Sequence, residues 1–271
     1  MPPTVPVALS LSGIRPPGGS EDPRALIEWA AGLNPRHLQL DATAPGLRPR
    51  DLDRSARRDL ASILRRRQIS LAGIDAFIPP RHLVEQATID RAVAAILGAI
   101  ELAADLDATP HAAPRGRAVV AIETPAGIAT DVMMQFAAAA ARLGITIADH
   151  RRTPRPADST SDAANPEPES TIGIGIDPAV ILSAGEDVFD TVTRLRAAPA
   201  QCRLSDHDGA ARVPAGSPTG RLDLTSYAAA LSIVRYTRPV VADLRAIQRP
   251  DLAAPRILAA WNDAGFITEE G

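Results

Sequence analysis

The sequence predicts an α/β protein folded as a single (β/α)8 TIM barrel. Eight apolar runs begin near residues 5, 37, 69, 118, 145, 171, 201 and 239 and alternate with helical patterns. This is one βα unit per about 33 residues, which suits a barrel of about 250 residues. Acidic residues end most of these runs, at the strand ends where such barrels carry their functional groups.

A doubly wound open sheet is the alternative that the same alternation allows. It is disfavoured because no strand is followed by GxGxxG or a phosphate-binding loop, and because acids end strands along the whole chain and not at one switch point. A chain of 271 residues also fits one barrel. We therefore interpret residues 1–271 as one domain.

Each predicted strand is a short apolar run with a polar residue at or near its end. The runs are Val5–Leu11, His37–Asp41, Ile69–Asp75, Ala118–Glu123, Ile145–Asp149, Thr171–Asp177, Gln201–Asp206 and Pro239–Asp243. In the sixth run Gly173 and Gly175 alternate with isoleucines. Glycine in a strand leaves room for a neighbouring group or a ligand.

Helical spacing of apolar residues predicts a helix after most of these strands. Asp22 can cap the first helix, with Pro23 at its first position and Gly32 at its end. The later helices are Leu52–Arg67, Thr88–Leu106, Thr130–Leu143, Asp187–Ala198, one beginning at Thr225, and Asp251–Asp263. Residues 151–170 lack apolar periodicity, so we expect a disordered, mobile loop in place of the fifth helix.

Composition excludes several kinds of chemistry. The chain contains no lysine, so Schiff-base, pyridoxal-phosphate and P-loop lysines are excluded. Cys202 is the only cysteine, which excludes an internal disulfide and multi-cysteine metal sites, and it is interpreted as a buried apolar residue. The net charge of −3 gives no reason to expect nucleic acid, and no run is long enough to span a membrane. We expect a cytoplasmic protein that binds neither nucleic acid nor membrane, and homo-oligomers are allowed.

The motifs resemble the sugar phosphate isomerase/epimerase family of xylose-isomerase-like barrels, to which endonuclease-IV-type enzymes are related. The resemblance is carried by LNPRHLQLDA, DRAVAAILGAIELAADL, LGITIADH, IGIGIDP, the segment from SDHDGAARVP to SYAAAL, PVVADLR and AAWNDAG. It implies a divalent metal, Mn²⁺, Mg²⁺ or Zn²⁺, held by Glu, Asp, His and Glu at the ends of the fifth to eighth strands. The two glutamates are also implied to move a proton beside a carbonyl, and the implied partner is a small-molecule carbohydrate.

Carried over residue by residue, the resemblance retains one ligand unchanged, Asp177. The fifth-strand glutamate falls on Asp149 or on His150, and the eighth-strand glutamate falls on the shorter Asp243. The seventh-strand motif falls on Arg203-Leu204-Ser205-Asp206, which puts arginine where the family has histidine. Asp206 ends this motif, and His207, past the strand end, could substitute for the missing imidazole. Both could join Asp177 as metal ligands, although the composition around them is also that of a turn.

Arg203 decides between a metal site and a metal-free site. A guanidinium cannot lose its proton to coordinate a metal, so it would pair with Asp177 or Asp243, or bind an anionic substrate group. We predict that Arg203→His recovers divalent-metal binding. The other strand-end residues, Asp41, Asp75 and Glu123, are interpreted as substrate contacts, with helix capping as the alternative for the two aspartates.

Two functions remain open from the sequence. The first is a sugar or sugar-phosphate isomerase or epimerase, with Asp149 or His150 and Asp243 as the acid and base. The second is a degenerate, inactive barrel that binds a polyol or an anion. Cleavage of nucleic acid at abasic sites would need a richer His/Glu cluster and a basic face, and neither is visible in the sequence.

Overall fold

Eight parallel strands close into a barrel, as the sequence predicted. The computed structural model describes residues 5–14, 22–107, 118–151 and 171–264. In these residues the strands are, in chain order, β1 (Val7–Ser10), β2 (His37–Asp41), β3 (Ser70–Asp75), β4 (Val119–Ile122), β5 (Thr146–Asp149), β6 (Ile172–Ile176), β7 (Gln201–Leu204), β8 (Asp206–His207), β9 (Arg212–Val213) and β10 (Val240–Ala242). β1 pairs in parallel with both β2 and β10, which closes the barrel. β8 and β9 form a separate antiparallel pair just beyond β7.

Helices alternate with the barrel strands. They are α1 (Pro23–Ala31), α2 (Arg54–Arg66), α3 (Ile89–Asp107), α4 (Thr130–Leu143), α5 (Pro178–Ser183), α6 (Val188–Thr193), α7 (Leu224–Ile233) and α8 (Pro250–Ala264). Aspartates cap several of them: the Asp22, Asp53 and Asp223 side chains accept backbone N–H groups of the first turns of α1, α2 and α7. Gly144 ends α4 with a φ of 65°, in the left-handed region that favours glycine.

The region after β6 differs from the prediction of one helix over Asp187–Ala198. The structure has two short helices there, because Pro178 at the first position starts α5 directly after the strand. Asp187 accepts the backbone N–H of Asp190 and starts α6, which ends at Thr193. Pro199 disfavours helical backbone at the residue before it, so the chain leaves the helix ahead of that point.

The main core lies between the barrel and its helices. Outward-facing strand residues such as Leu9, Leu38 and Ile147 join one buried cluster with Phe136 and Trp261 of the helices. Trp261 packs edge-on against Tyr227, with 6.0 Å between the ring centroids. Burial of this apolar layer is the main term that holds the helices against the barrel.

The barrel interior is filled differently from the bulky branched layers usual in this fold. Val119, Ala148 and Ala200 form a small separate cluster, so the interior is lined by short side chains at that level. Gln39 and Gln201 fill the remaining space, and the Gln39 amide donates to Oε1 of Gln201 at 3.3 Å. Small interior residues thus leave room for long polar ones, which reach towards the strand ends.

Acidic residues follow or end the strands at one rim, as predicted. β2, β3 and β5 end at Asp41, Asp75 and Asp149, and the remaining acids lie one or two residues past their strands. We call this end of the barrel the mouth. The loop expected over residues 151–170 lies, beyond Arg151, outside the described residues. None of the helices in the described ranges is long and apolar enough to cross a membrane.

Candidate functional site

A buried arginine lies at the centre of the mouth. Arg203 on β7 has a side chain only 5% exposed, and its Nη1 donates to Oδ2 of Asp177 at 3.1 Å. Its Nε lies 3.7 Å from Oδ2 of Asp243, and its Nη2 lies 3.8 Å from Oδ1 of Asp75. The prediction that this guanidinium would pair with Asp177 or Asp243 is confirmed.

Two further arginines cover Arg203 from the outside. Arg212, on β9, donates to Oδ2 of Asp177 at 2.6 Å and to Oδ2 of Asp243 at 3.1 Å. Arg245 donates hydrogen bonds to the Asp243 carboxylate from Nε and from Nη2, with Nη2 at 2.6 Å from Oδ2. The three arginines and the three carboxylates form what we call the arginine–aspartate cluster: Arg203, Arg212, Arg245, Asp75, Asp177 and Asp243.

Hydroxyl groups add hydrogen bonds to two of the carboxylates, Asp177 and Asp75. Ser205 donates to Oδ1 of Asp177 at 2.6 Å, and Ser12 donates to Oδ2 of Asp75 at 2.9 Å. Oδ1 of Asp75 is buried without a hydrogen-bond partner in the described residues. Arg203 of β7 faces Asp75, Asp177 and Asp243, which lie at the ends of β3, β6 and β10. The cluster therefore holds the ends of these four strands together.

The electrostatics of the cluster favour the ionised forms of Asp177 and Asp243. Burial alone would raise the pKa of Asp243, but the positive charges of Arg245, Arg203 and Arg212 outweigh burial and lower that pKa below its ordinary value. Burial also opposes ionisation of Asp177, whose pKa is nevertheless lowered by Arg212 and Arg203. Burial would lower the pKa of Arg245, but its neighbouring aspartates outweigh burial and raise that pKa above its ordinary value. Neither aspartate is poised to exchange protons near neutral pH.

The fifth strand contributes His150 to the interior, which resolves the choice left open by the sequence. Asp149 is turned aside: it accepts hydrogen bonds from Thr124, 2.6 Å from its Oγ1, and pairs with Arg151 at 2.7 Å. The imidazole of His150 lies against Gly175, where a Cβ would come 2.5 Å from Cγ of the ring. Gly175 is therefore the residue that makes space for His150.

His150 is neutral and has one free acceptor. Its Nε2 lies 3.1 Å from Oε1 of Gln201, and because this amide oxygen accepts, Nε2 carries the proton. Burial, and then the charge of Arg203, lower the pKa of His150 well below its ordinary value. Nδ1 is buried with no hydrogen-bond partner in the described part of the chain. This is an unprotonated nitrogen held next to the cluster.

The remaining predicted site residues are engaged in local structure. Asp41 accepts the backbone N–H and the hydroxyl of Thr43, and burial raises the pKa of Asp41 despite these bonds. Oδ1 of Asp206 accepts three backbone N–H groups, those of His207, Arg221 and Leu222. Nδ1 of His207 accepts the N–H of Gly209 at 3.0 Å, as in a turn. Glu123 is half-buried just past β4.

The described residues do not fit the divalent metal that the resemblance implies. Ends of the fifth to eighth barrel strands present His150, Asp177, Arg203 and Asp243, and Arg203 occupies the middle of this set with a fixed positive charge. Oδ2 of Asp177 and of Asp243 is already bound by guanidinium groups. Within residues 5–14, 22–107, 118–151 and 171–264, no three side chains suited to metal binding converge, and Asp206 and His207 do not join Asp177.

Sequence reasoning missed Arg212 and Arg245, although they complete the cluster. Arg245 follows Asp243 by two residues, and an aspartate side chain often hydrogen-bonds the backbone two residues on, as Oδ1 of Asp243 does with the N–H of Arg245 at 3.0 Å. That spacing is the signal that could have revealed it. Arg212 lies in the loop after β7, where composition indicates only a turn. Its position depends on the β8–β9 pair, which brings it over Asp177 across 35 residues of sequence.

Solved structures match this architecture along nearly the whole chain. A xylose isomerase domain protein from Planctomyces limnophilus is 15% identical, with a TM-score of 0.65, and the match covers 97% of this chain and 98% of that one. A D-psicose 3-epimerase from Clostridium cellulolyticum is 12% identical, with a TM-score of 0.66 and coverage of 96% and 98%. Endonuclease IV from Thermus thermophilus is 14% identical, with a TM-score of 0.50 and coverage of 96% and 99%. No protein-family model and no curated protein matches the sequence.

At these identities the similarity shows the fold alone. The fold is the xylose isomerase-like TIM barrel that these proteins share, so the resemblance drawn from the sequence motifs is confirmed at that level. Fold does not carry function with it, because function resides in the particular groups of the site. The chemistry of this chain has to be argued from its own mouth residues.

Proposed function

We propose that this chain binds a small polyhydroxy compound with an anionic group at the barrel mouth, without a metal ion and without epimerising it. The observation that carries the proposal is the pairing of Arg203 with Asp177 at 3.1 Å, at the strand end where the resemblance implies a metal ligand. A guanidinium there supplies the positive charge that holds the carboxylates, and it leaves them unable to take up a metal.

The acid and the base that the resemblance implies are not available for proton transfer. A general base works best with a pKa near the operating pH. Asp243 is held ionised by its arginines, and Asp149 is turned away from the mouth towards Thr124 and Arg151. These losses favour binding over turnover, the second of the two functions that the sequence left open.

The outer arginines provide the means to recognise an anion. The side chains of Arg212 and Arg245 are 18% and 14% exposed, so both remain within reach of a ligand at the mouth. A guanidinium has five N–H donors and can hold a carboxylate or phosphate in a forked contact. Asp75, with one buried oxygen free of hydrogen bonds, can accept from a hydroxyl. The carbohydrate character of the ligand is supported by the solved D-psicose 3-epimerase of the same fold, which was crystallised with D-tagatose.

A nucleic acid is not part of this proposal. Every arginine of the cluster faces a carboxylate, whereas binding a phosphate backbone requires several cations free to replace counterions. The net charge of −3 adds no attraction for a polyanion.

A second candidate, metal-independent isomerisation, is favoured by one observation. Nδ1 of His150 is an unprotonated acceptor without a partner, next to the permanent cation Arg203. In that mechanism Nδ1 would remove a proton beside a carbonyl, and Arg203 would stabilise the developing oxyanion. The lowered pKa of His150 makes it a weak base, which is why we place this function second.

Calorimetry on metal-stripped protein tests the proposal. D-gluconate should bind in the presence of EDTA, and Arg212→Gln should weaken this binding. In a separate exchange experiment, D-tagatose in D₂O with Mn²⁺ should show no deuterium uptake. Uptake that requires Mn²⁺ and is lost in Asp177→Ala would overturn the proposal in favour of a metal-dependent epimerase. Metal-independent uptake that is lost in His150→Ala would instead establish the second candidate.

A further inference from the structure

A second concave surface lies beside the mouth, between α3 and the loops that follow β2 and β3. This α3 groove has a volume of about 820 Å³ and is lined by residues within 42–57, 77–82 and 88–101. Small-molecule sites commonly have volumes of about 300–1,000 Å³. All of its lining residues belong to the continuous described stretch 22–107.

The lining of the α3 groove is basic in a chain whose net charge is −3. Its charged residues are four arginines, Arg48, Arg50, Arg57 and Arg91, and one carboxylate, Glu101. An excess of one charge in a concave surface raises the local concentration of the opposite ion. The groove is therefore suited to an anion.

The arginines differ in how far the fold uses them. Arg57 is fully engaged, with Nη1 at 2.7 Å from Asp105 and its other nitrogens on the carbonyls of Leu52 and Pro49. Among the described residues, Arg48 is held only through Nε, which donates to the carbonyl of Thr43.

Two arginines are more available. Arg50 has one long contact, 3.6 Å to Asp51, and the exposed side chain of Arg91 has no hydrogen bond or ion pair to any described residue. Donors of Arg48, Arg50 and Arg91 thus remain for a ligand.

An exposed aromatic ring lies beside these donors. Phe77 lines the groove with 46% of its surface exposed, next to Ile78 and the small residues Ala92 and Ala95 of α3. The ring also stacks on the guanidinium of Arg245, 4.6 Å from its centroid. Arg245 covers one face of the ring, and the exposed part of the ring favours a ligand with an apolar, planar body.

We propose that the α3 groove binds a small organic anion, with its phosphate or carboxylate on Arg48, Arg50 and Arg91 and its apolar body against Phe77. The lining of this groove shares no residue with the arginine–aspartate cluster, and the proposal does not depend on the function proposed for the mouth. Since Phe77 also touches Arg245, an occupant of the groove would lie one side chain away from the arginine–aspartate cluster.

Titration calorimetry with phenyl phosphate, benzoate and inorganic phosphate tests the site. Phenyl phosphate or benzoate should bind more tightly than inorganic phosphate, because only these two carry an apolar ring; the tighter of the two identifies the anionic group. Arg50→Gln/Arg91→Gln should weaken binding about tenfold by removing charge-assisted hydrogen bonds. Glu101→Gln should strengthen it, because it removes the one carboxylate of the lining.

The matched control is Arg54→Gln/Arg58→Gln, which removes two exposed arginines of α2 outside the groove. It should leave the affinity unchanged, and an equal loss in this control would reduce the effect to general electrostatics and overturn the proposal. Loss of binding in Arg212→Gln but not in the groove variants would place the probe in the mouth and overturn it as well. So would the absence of binding by both phenyl phosphate and benzoate.

Discussion

Replacing Arg203 by methionine tests whether the arginine–aspartate cluster holds the mouth together. Methionine keeps a long apolar chain but removes the charge that faces Asp177, Asp243 and Asp75 at 3.1, 3.7 and 3.8 Å. At an effective dielectric of about 20, one pair at such a distance is worth about 5 kcal/mol before desolvation is subtracted. Breaking a buried pair by removing one partner costs about 3–5 kcal/mol.

The expected loss is towards the lower end of that range. Arg212 stays within 2.6 Å of Oδ2 of Asp177 and keeps part of the compensation. We therefore expect Arg203→Met to lower the free energy of unfolding by about 3 kcal/mol, measured by urea denaturation at pH 7. Combined with Asp177→Asn in a double-mutant cycle, the two changes should couple by about 2 kcal/mol.

The control for this experiment is Arg194→Met, which removes an arginine from the exposed pair with Asp190, at 3.0 Å. Exposed pairs contribute little, so this variant should hardly change stability. A loss in Arg203→Met below about 1 kcal/mol, or no coupling to Asp177→Asn, would refute the reasoning, because it would mean that the buried charges do not depend on one another.

Three further predictions follow from the same contacts. The prediction that Arg203→His alone recovers divalent-metal binding has to be revised, because Arg212 also neutralises the carboxylates of Asp177 and Asp243. Arg203→His alone should bind Mn²⁺ poorly and Arg203→His/Arg212→Gln should bind it measurably by calorimetry; tight Mn²⁺ binding by the unmodified protein would contradict this. Gly175→Ala should cost about 1–3 kcal/mol in urea unfolding, because the added Cβ meets the interior imidazole, whereas Gly127→Ala, with open space around it, should not. The lowered pKa of Asp243 stabilises the fold above the unfolded-state pKa of about 3.9, and this contribution is lost as pH falls through the folded-state pKa. Unfolding free energy should therefore fall more steeply below about pH 4 in the unmodified protein than in Asp243→Asn, and parallel curves would argue against it.

The barrel could be predicted because its signals are local. Each strand is a short apolar run, each helix repeats apolar residues at helical spacing, and the acids mark the ends of the strands. α6 was predicted, although with an end at Ala198 that lies beyond its observed end at Thr193. α5 was missed because its six residues make fewer than two turns, too few for a helical period to be detected. Pro178 is the residue that could have indicated a helix start after β6.

The site was predictable only in part, since it depends on pairing across the fold. Arg203 could be placed in the mouth because the order of motifs fixed its strand. Choosing between Asp149 and His150 required knowing which side of β5 faces the barrel interior. The sequence does not give this, and the structure shows it in the contact of His150 with Gly175. Arg212 reaches Asp177 from the short β8–β9 pair in the connection between β7 and α7, so no spacing in the sequence predicts that contact.

The replacement of histidine by arginine at position 203 explains why further arginines gather at the mouth. In the ligand set implied by the resemblance, a divalent ion would place two positive charges between the carboxylates. Here the guanidiniums of Arg203 and Arg212 both reach Asp177 and Asp243, so two fixed positive charges stand in the same place. Arg203 alone would leave Asp177 and Asp243 undercompensated, and buried carboxylates require full pairing. Arg212 and Arg245 supply that remainder, which makes the cluster one charge-balanced unit and a metal at this mouth a competitor of the protein's own side chains.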